Sequence, residues 1–340
     1  MDKNDNEIRI GIREAEEAFR NCLIKYGVSE EESSATAAVF ARNAADGIMT
    51  HSVARFPRLI AQIEAGVVRP GVKPVLQSSF SAIERYNAGY GIGTTSASFA
   101  MNRAIELSSL FGIGLIALSN ANHWMRAGYY ALSAAERGKI GICWTNTMHN
   151  LASWGSIEAN IGNNPIAIAV PRDDGRHFLI DSAMSQFSVG KVSQYASEGR
   201  RLPVAGGFDS EGRMTDDPSE ILESWRFLPA GFWKGSGFSI VLDVIAAVLS
   251  DGNTVSEIGD CDAIHEAGLS QVFIAIDPEK LGPDASARVM ASVERSLKEA
   301  KTANGRKCRY PGENMKDIHD KAMNEGIAVP AGLWKEIIGL

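Results

Sequence analysis

The sequence predicts an α/β fold in which a mainly helical N-terminal region precedes an alternating strand–helix region and a helical C-terminal region. Three observations carry this. Apolar residues recur at helical spacing from Ile12, short apolar strand-like runs alternate with helical stretches from about Ser81, and amphipathic helical spacing returns beyond residue 284. The boundaries that follow are 1–75, 76–280 and 281–340, with the stretch 284–340 packing back on the first region. At 340 residues, 45% hydrophobic and 22% charged, the chain has ample apolar material for a core and lies far from a disordered composition.

Each element has a local cause. The first helix runs from Ile12 to Tyr26 and stops at Gly27, and Ser29 with Glu32 forms a capping box that opens a second helix toward Gly47. Leu59, Ile60 and Ile63 mark a third helix ending at Gly66. Ala82 to Tyr86 reads as a strand, after which the glycines at 89, 91 and 93 lead into a helix ending near Phe111. Gly114 to Ser119 is a short apolar strand that opens into the polar loop Asn120 to His123. A helix over Tyr129 to Arg137 and a strand over Ile140 to Thr145 follow. Ile166 to Val170 and Phe178 to Asp181 are further strands, joined by a turn at 173–175. The polar stretch from about Ser193 to Pro218 reads as an excursion or lid. A glycine-rich turn at 231–237 precedes a long apolar helix to Ser250, and Ser270 to Ile276 is a strand. Helices are expected around 284–303, at 314–325 and after Pro330.

Composition excludes several classes. A net charge of −7 with no run of basic residues argues against a nucleic-acid or membrane partner. The N-terminus is charged from its second residue and lacks the apolar centre of a signal peptide. The longest apolar stretch, Phe238 to Leu249, falls short of the roughly 20 residues a spanning helix needs, so a buried helix of a soluble protein is expected. Cys22, Cys143, Cys261 and Cys308 form no CxxC pair and fit reduced thiols in the cytoplasm. His177, His265 and His319 show no ligand spacing, and no metal site is expected.

Three segments could carry chemistry. His51 and Arg55 share one face if their segment is helical, with Pro57 near the start of the regular helix. A guanidinium can grip a carboxylate with two hydrogen bonds while an imidazole moves a proton at a neighbouring oxygen. Spacing alone favours a plainer reading, a structural histidine beside a surface arginine. Asn122 and His123 stand in a polar loop directly after a strand, where α/β sheets usually bind ligands; an Asx-rich turn before a helix is the equal alternative. Gly231 to Gly237, with Lys234, opens a helix and could bind an anion, although glycines there also serve close packing. A GxGxxG motif is absent from the sequence.

At these residues the chain resembles the malate/L-lactate dehydrogenase family that lacks a Rossmann domain. The matching pieces are His51 with Arg55-Phe56-Pro57, Asn120 to Arg126, Gly141 to Asn146, Trp154-Gly155 and Asn164-Pro165. They continue through Leu202-Pro203, Gly206 to Asp209, Trp233 to Gly237 and Pro311-Gly312-Glu313. The resemblance implies an α/β fold with a mixed-sheet cofactor-binding region and a homodimer with its active site near the subunit interface. It further implies reversible, NADH-dependent reduction of a small keto acid, a diketo sugar acid in particular, with NADP as a possible cofactor. His51 is then the proton donor, Arg55 and His123 contact substrate, and Asn122 positions it. The cofactor segments fall on His177, Phe178, Leu179, Ile180, Asp181, Ser182 and Ala183, on Trp233 and Lys234, and on Gly312, Glu313 and Asn314. A reference histidine pKa of about 6.5 suits such proton transfer near neutrality. Two positions depart from the family pattern: Ser52 stands where a glycine is usual, and Asn163 where a threonine is, both of which could alter substrate preference.

Overall fold

Side chains alternate across a strand, so a strand apolar at every position must be covered on both faces. That is the situation of the central strands in the computed structural model, which describes residues 7–259, 261–280, 282, 285–302 and 307–340. In chain order the first elements are β1 (Glu7–Ile10), α1 (Ile12–Lys25), α2 (Glu30–Ala45), α3 (Phe56–Glu64), β2 (Val75–Phe80), β3 (Ile83–Asn87), α4 (Gly93–Phe111), β4 (Ile113–Ala121), α5 (Ala127–Ala135) and β5 (Ile140–Thr145). Next come β6 (Leu151–Ala152), β7 (Ala159–Ile161), β8 (Ile166–Val170), β9 (Phe178–Ser182), α6 (Val189–Ser197), β10 (Gly207–Phe208), β11 (Met214–Thr215) and α7 (Pro218–Ser224). The chain ends with α8 (Trp233–Ser250), α9 (Val255–Ile258), β12 (Leu269–Ile276), α10 (Ala285–Glu299), α11 (Met315–Glu325), β13 (Ile327–Pro330) and α12 (Ala331–Gly339).

A seven-stranded mixed sheet runs in the order β2-β3-β4-β12-β5-β8-β9. Only the β3–β4 pair is parallel, and β12, late in the sequence, inserts antiparallel between β4 and β5. Ile116 and Leu118 of β4, with Phe273 and Ala275 of β12, pack under α4 and α5. Ala117 and Val272 point to the other face and meet Leu242 and Ala246 of α8 together with Val192, Ile221 and Phe227. Helix α4 ends where Gly112 takes φ +84°, a left-handed position that a Cβ would strain.

A separate core joins the two ends of the chain. Ile10, Phe19, Phe40, Phe56 and Val68 share it with Ala322, Val329, Trp334 and Ile337. β1 and β13 close it as an antiparallel pair, an arrangement that such short strands do not announce in sequence. The rings of Phe19, Phe40 and Phe56 lie 4.6 to 5.6 Å apart, each pair contributing about 0.5–1.5 kcal/mol beyond its burial. Because Phe56 follows Arg55 directly, this cluster seats the His51–Arg55 segment.

Three expectations change. The capping box is half formed: Ser29 accepts the Glu32 N–H at 3.3 Å, but the Glu32 carboxylate accepts the Gly71 N–H at 2.8 Å and ties down the loop before β2. The stretch 193–218 holds the end of α6, β10, β11 and the start of α7, packed in the second sheet-face core. Helix α8 is not fully buried. Its inner face packs on the sheet, where the Trp144 indole N–H donates to the Leu242 carbonyl at 3.0 Å, while Phe238, Val241, Val244 and Val248 are exposed. The apolar run therefore has one face covered by the sheet and one exposed.

Candidate active site

The His51 segment is two short 3-10 turns, Met49–His51 and Val53–Arg55, broken at Ser52, and not one regular helix. Ser52 is fully buried, and its hydroxyl donates to the Phe40 carbonyl of α2 at 2.6 Å. The extra side chain thus anchors the turn from behind and leaves the cavity wall unchanged. Asn43 adds a bond from its amide to the His51 carbonyl at 3.1 Å. Pro57 lies in the first turn of α3, as its missing N–H favours.

These turns bring His51 and Arg55 to one wall of a cavity of about 750 Å³, with His123 beside them and Thr147, Asn150, Asn163 and Ser188 on other walls. The two imidazoles stack with centroids 5.9 Å apart and an interplanar angle of 14°. Asn122 does not line the cavity. It is buried, and its amide donates to the carbonyls of Tyr90 at 2.8 Å and Gly91 at 2.9 Å. Its expected contact with substrate gives way to positioning the loop that carries His123.

Electrostatics separate the two histidines. His51 is lowered from the ordinary histidine value to about 4, by burial first and then by the positive charges of Arg55 and Arg126. Where an ordinary histidine would titrate near neutrality, burial and these charges favour a neutral His51, able to accept a proton. The Thr50 hydroxyl sits 3.1 Å from its Nδ1. His123 is pushed well below the ordinary value, by burial and then by Arg55. Its Nδ1 accepts the Met125 N–H at 3.0 Å, which fixes the neutral ring with its proton on Nε2. His123 can donate a hydrogen bond there but has no ready lone pair for proton uptake, whereas the Thr50 hydroxyl can either donate to or accept from His51 Nδ1, so His51 can present a proton or a lone pair at Nε2.

Arg55 is lowered to about 10, by burial and by Arg58, with Glu266 opposing, and stays cationic at neutral pH. Glu266, 4% exposed in the loop before β12, lies 3.7 Å from Arg55 and 3.2 Å from Arg58. Arg58 and Glu266 escaped the sequence reading. Arg58 carried a signal, since it stands three residues after Arg55 beside the same motif; Glu266, over 200 residues away, carried none.

The expected cofactor segments assemble around β9, an edge strand. At its start, the Leu179 N–H donates to the Pro311 carbonyl at 2.8 Å and the Phe178 and Tyr310 rings lie 4.3 Å apart. Gly312 has φ +91°, and a Cβ there would lie 2.7 Å from the Leu179 nitrogen, so only glycine lets this loop lie against the strand. Glu313 and Asn314 follow in the same loop. At the other end, the Ala230 N–H donates to the Met184 carbonyl at 2.8 Å, which brings the α8 turn with Trp233 and Lys234 next to Ala183. From His177 to Ala183 the backbone spans roughly 20 Å, comparable to an extended dinucleotide. Leu179 and Asp181 point inward: Leu179 is core, and the Asp181 carboxylate accepts from Arg126 and from the Gly128 N–H, both at 3.0 Å. They hold the strand in place. Ile180, exposed on the opposite face, and the exposed Trp233 offer apolar surface for a planar ring. The residues present fit a dinucleotide laid along β9, with Lys234 beside a helix N-terminus for its phosphates.

The matching motifs Asn146 and Asn164 prove to be anchors for α8. The Asn146 amide donates to the Asp243 carboxylate at 2.8 Å, and the Asn164 amide donates to Ser239 at 2.9 Å (carbonyl) and 3.0 Å (hydroxyl). Asn163, the second departure, does face the cavity, where its side-chain oxygen accepts from Thr147 and Asn150, both at 3.2 Å.

Comparison with known proteins agrees with this geometry. Residues 10–338 match the family model described as malate/L-lactate dehydrogenase. The chain is 42% identical over 335 residues to the 2,3-diketo-L-gulonate reductase of Escherichia coli O127:H6, covering 98% of this chain and all of that protein. Among solved structures, the sulfolactate dehydrogenase of Methanocaldococcus jannaschii superposes with a TM-score of 0.89 at 28% identity, covering 98% of each chain. The malate dehydrogenase of Pyrococcus horikoshii OT3 gives 0.88 at 27% identity, covering 98% of this chain and 94% of that one. A match of this length, on a sheet and cavity of this form, leaves one conclusion: the chain belongs to the malate/L-lactate dehydrogenase family.

Proposed function

We propose that the chain reduces a 2-keto acid with NADH, acting on 2,3-diketo-L-gulonate to give 3-dehydro-L-gulonate, with His51 as the proton donor. The observation that carries the reading is the division of labour beside Arg55: one histidine free to take or give a proton, the other locked as a neutral donor. The 42% identity to a reductase of that name supports the substrate, as do the cavity's size and its polar walls at Thr147, Asn150, Asn163 and Ser188.

When bound along β9, the nicotinamide cofactor supplies hydride to the C2 carbonyl carbon. Arg55 holds the substrate carboxylate in a charge-assisted pair. The His123 Nε2–H donates to a substrate oxygen and fixes the carbonyl's orientation. A carboxylate on Arg55 offsets one of the positive charges that keep His51 neutral, so acid binding favours protonation of the residue that must donate. His51 then gives its proton to the oxygen developing at C2. In the reverse direction neutral His51 takes the hydroxyl proton. NADH is the cofactor of this reading, and NADPH is the alternative.

A homodimer belongs to the same proposal. A second copy would cover the exposed Phe238, Val241, Val244 and Val248 face of α8, whose first turn adjoins the cofactor strand. The thiols of Cys22, Cys143 and Cys308, which form no disulfide, suit a reducing, cytoplasmic setting. The test is NADH and NADPH oxidation across a panel holding 2,3-diketogulonate, pyruvate, oxaloacetate and a cyclic imino acid, with ureidoglycolate oxidation as a further arm. Highest kcat/KM with diketogulonate and NADH is expected; preference for malate, lactate, ureidoglycolate or imino-acid chemistry would replace the substrate while keeping the family.

A further inference from the structure

Two guanidinium groups face the substrate cavity, yet a simple keto monoacid needs only one. Arg55 and Arg58 stand one turn apart and converge on a single buried carboxylate. Glu266 lies nearer Arg58, at 3.2 Å against 3.7 Å for Arg55, and its other oxygen accepts the Met148 N–H at 3.3 Å. The Arg58 Nε–H is buried and has no hydrogen-bond partner. Among the described residues the remaining charge at the cavity is Asp262, exposed at its rim and bonded to the His265 imidazole at 2.8 Å. Burial favours the neutral forms of His51 and His123. Among the described residues the inner cavity therefore holds two cations and one anion, a surplus of one positive charge.

We infer that Glu266 is a specificity residue: by occupying Arg58 it leaves one guanidinium, Arg55, to bind substrate, and so selects acids with one anionic group against diacids. A second carboxylate on the substrate would have to approach Arg58, where it would meet the buried Glu266 carboxylate at close range. Like charges brought together in a cavity shielded from water repel strongly, and this is an effective way to reject a near-homologous substrate. The polar tail of a monoacid meets no such barrier, since its hydroxyl groups carry no charge and face the polar walls at Thr147, Asn150, Asn163 and Ser188. The relatives named for malate and sulfolactate act on dianions, so the family scaffold accommodates both classes. Glu266 acts through Arg58 and Arg55 and touches no reacting atom.

This inference rests on the keto-acid reading of the cavity, and its test separates the two. Wild type, Glu266→Gln and Glu266→Asp are compared in two ways. The first is kcat/KM with NADH for 2,3-diketogulonate and for oxaloacetate. The second is calorimetric binding of L-gulonate, a monoanion, and L-malate, a dianion, which requires no turnover. Glu266→Gln should shift both dianion-to-monoanion ratios upward on the order of 10–100-fold, and Glu266→Asp, which keeps the charge, should stay near wild type. Unchanged ratios in Glu266→Gln, or an equal loss for both acids in Gln and Asp variants alike, would overturn the inference. If wild type oxidises NADH with no keto acid, the functional reading falls, while the gulonate and malate titrations still decide the role of Glu266.

Discussion

The depressed pKa of His51 predicts an unusual pH profile. Burial and the charges of Arg55 and Arg126 bring this histidine to about 4, against an ordinary 6.5. Reduction requires the protonated form, which at pH 7 is about one part in 10³ of the enzyme before the acid binds. That fraction grows tenfold for each pH unit removed, so reductive kcat/KM should rise about 10³-fold from pH 8 to pH 5 without levelling. Oxidation requires the neutral form, which is already complete, so oxidative kcat/KM should be flat from about pH 6 to 9. A carboxylate seated on Arg55 cancels part of the depressing field, and the midpoint of kcat should therefore lie above that of kcat/KM. Initial rates at constant ionic strength, taken in both directions with the acid well below KM for kcat/KM and saturating for kcat, read all three quantities. A reductive plateau below about pH 6, with a matching fall in oxidation, would show an ordinary histidine and refute the electrostatic argument.

Other perturbations follow from named contacts. Arg126 is 4% exposed and bridges Asp46 at 2.7 Å and Asp181 at 3.0 Å, tying α2 to the cofactor strand. Arg126→Met should cost about 1–3 kcal/mol in urea unfolding, because Asp181 and the buried Asp46 each lose a charged partner while Arg42 and His319 still hold Asp46 at 3.1 and 2.8 Å. Gly312→Ala should weaken NADH binding about tenfold or more, read by cofactor fluorescence, since strain of about 1–3 kcal/mol at φ +91° lifts the loop from β9. Replacing Val244 and Val248 together by Glu should convert a dimer to a monomer by light scattering while leaving the circular dichroism spectrum intact.

The fold was largely legible where a single chain segment carries its own pattern. Helices α1, α3 and α4 and strands β5, β8 and β12 fall where periodicity and glycine stops place them, because each buries one face or both against a neighbour. The paired strands β1 and β13 were invisible, since four residues hold too little pattern and their partner lies over 300 residues away. The same separation hid Glu266. His51 and Arg55 were legible as a motif, but their geometry was not, because the break at Ser52 depends on a hydroxyl reaching the Phe40 carbonyl. Asn122 looked like a ligand contact because a polar residue after a strand commonly is one; its amide instead satisfies two backbone carbonyls that would otherwise be buried unpaired. The apolar run of α8 pointed to full burial, whereas only its inner face is buried and Phe238, Val241, Val244 and Val248 are exposed.

The claim at the centre of this account is that His51 moves the proton. His51→Gln keeps a side chain of similar reach without acid–base capacity near neutrality. Measured at pH 7 with NADH and 2,3-diketogulonate, the variant should lose on the order of 10²–10⁴ in kcat/KM while NADH affinity stays within about twofold of wild type. Near-normal turnover in that variant, with the cofactor equally well bound, would contradict the account.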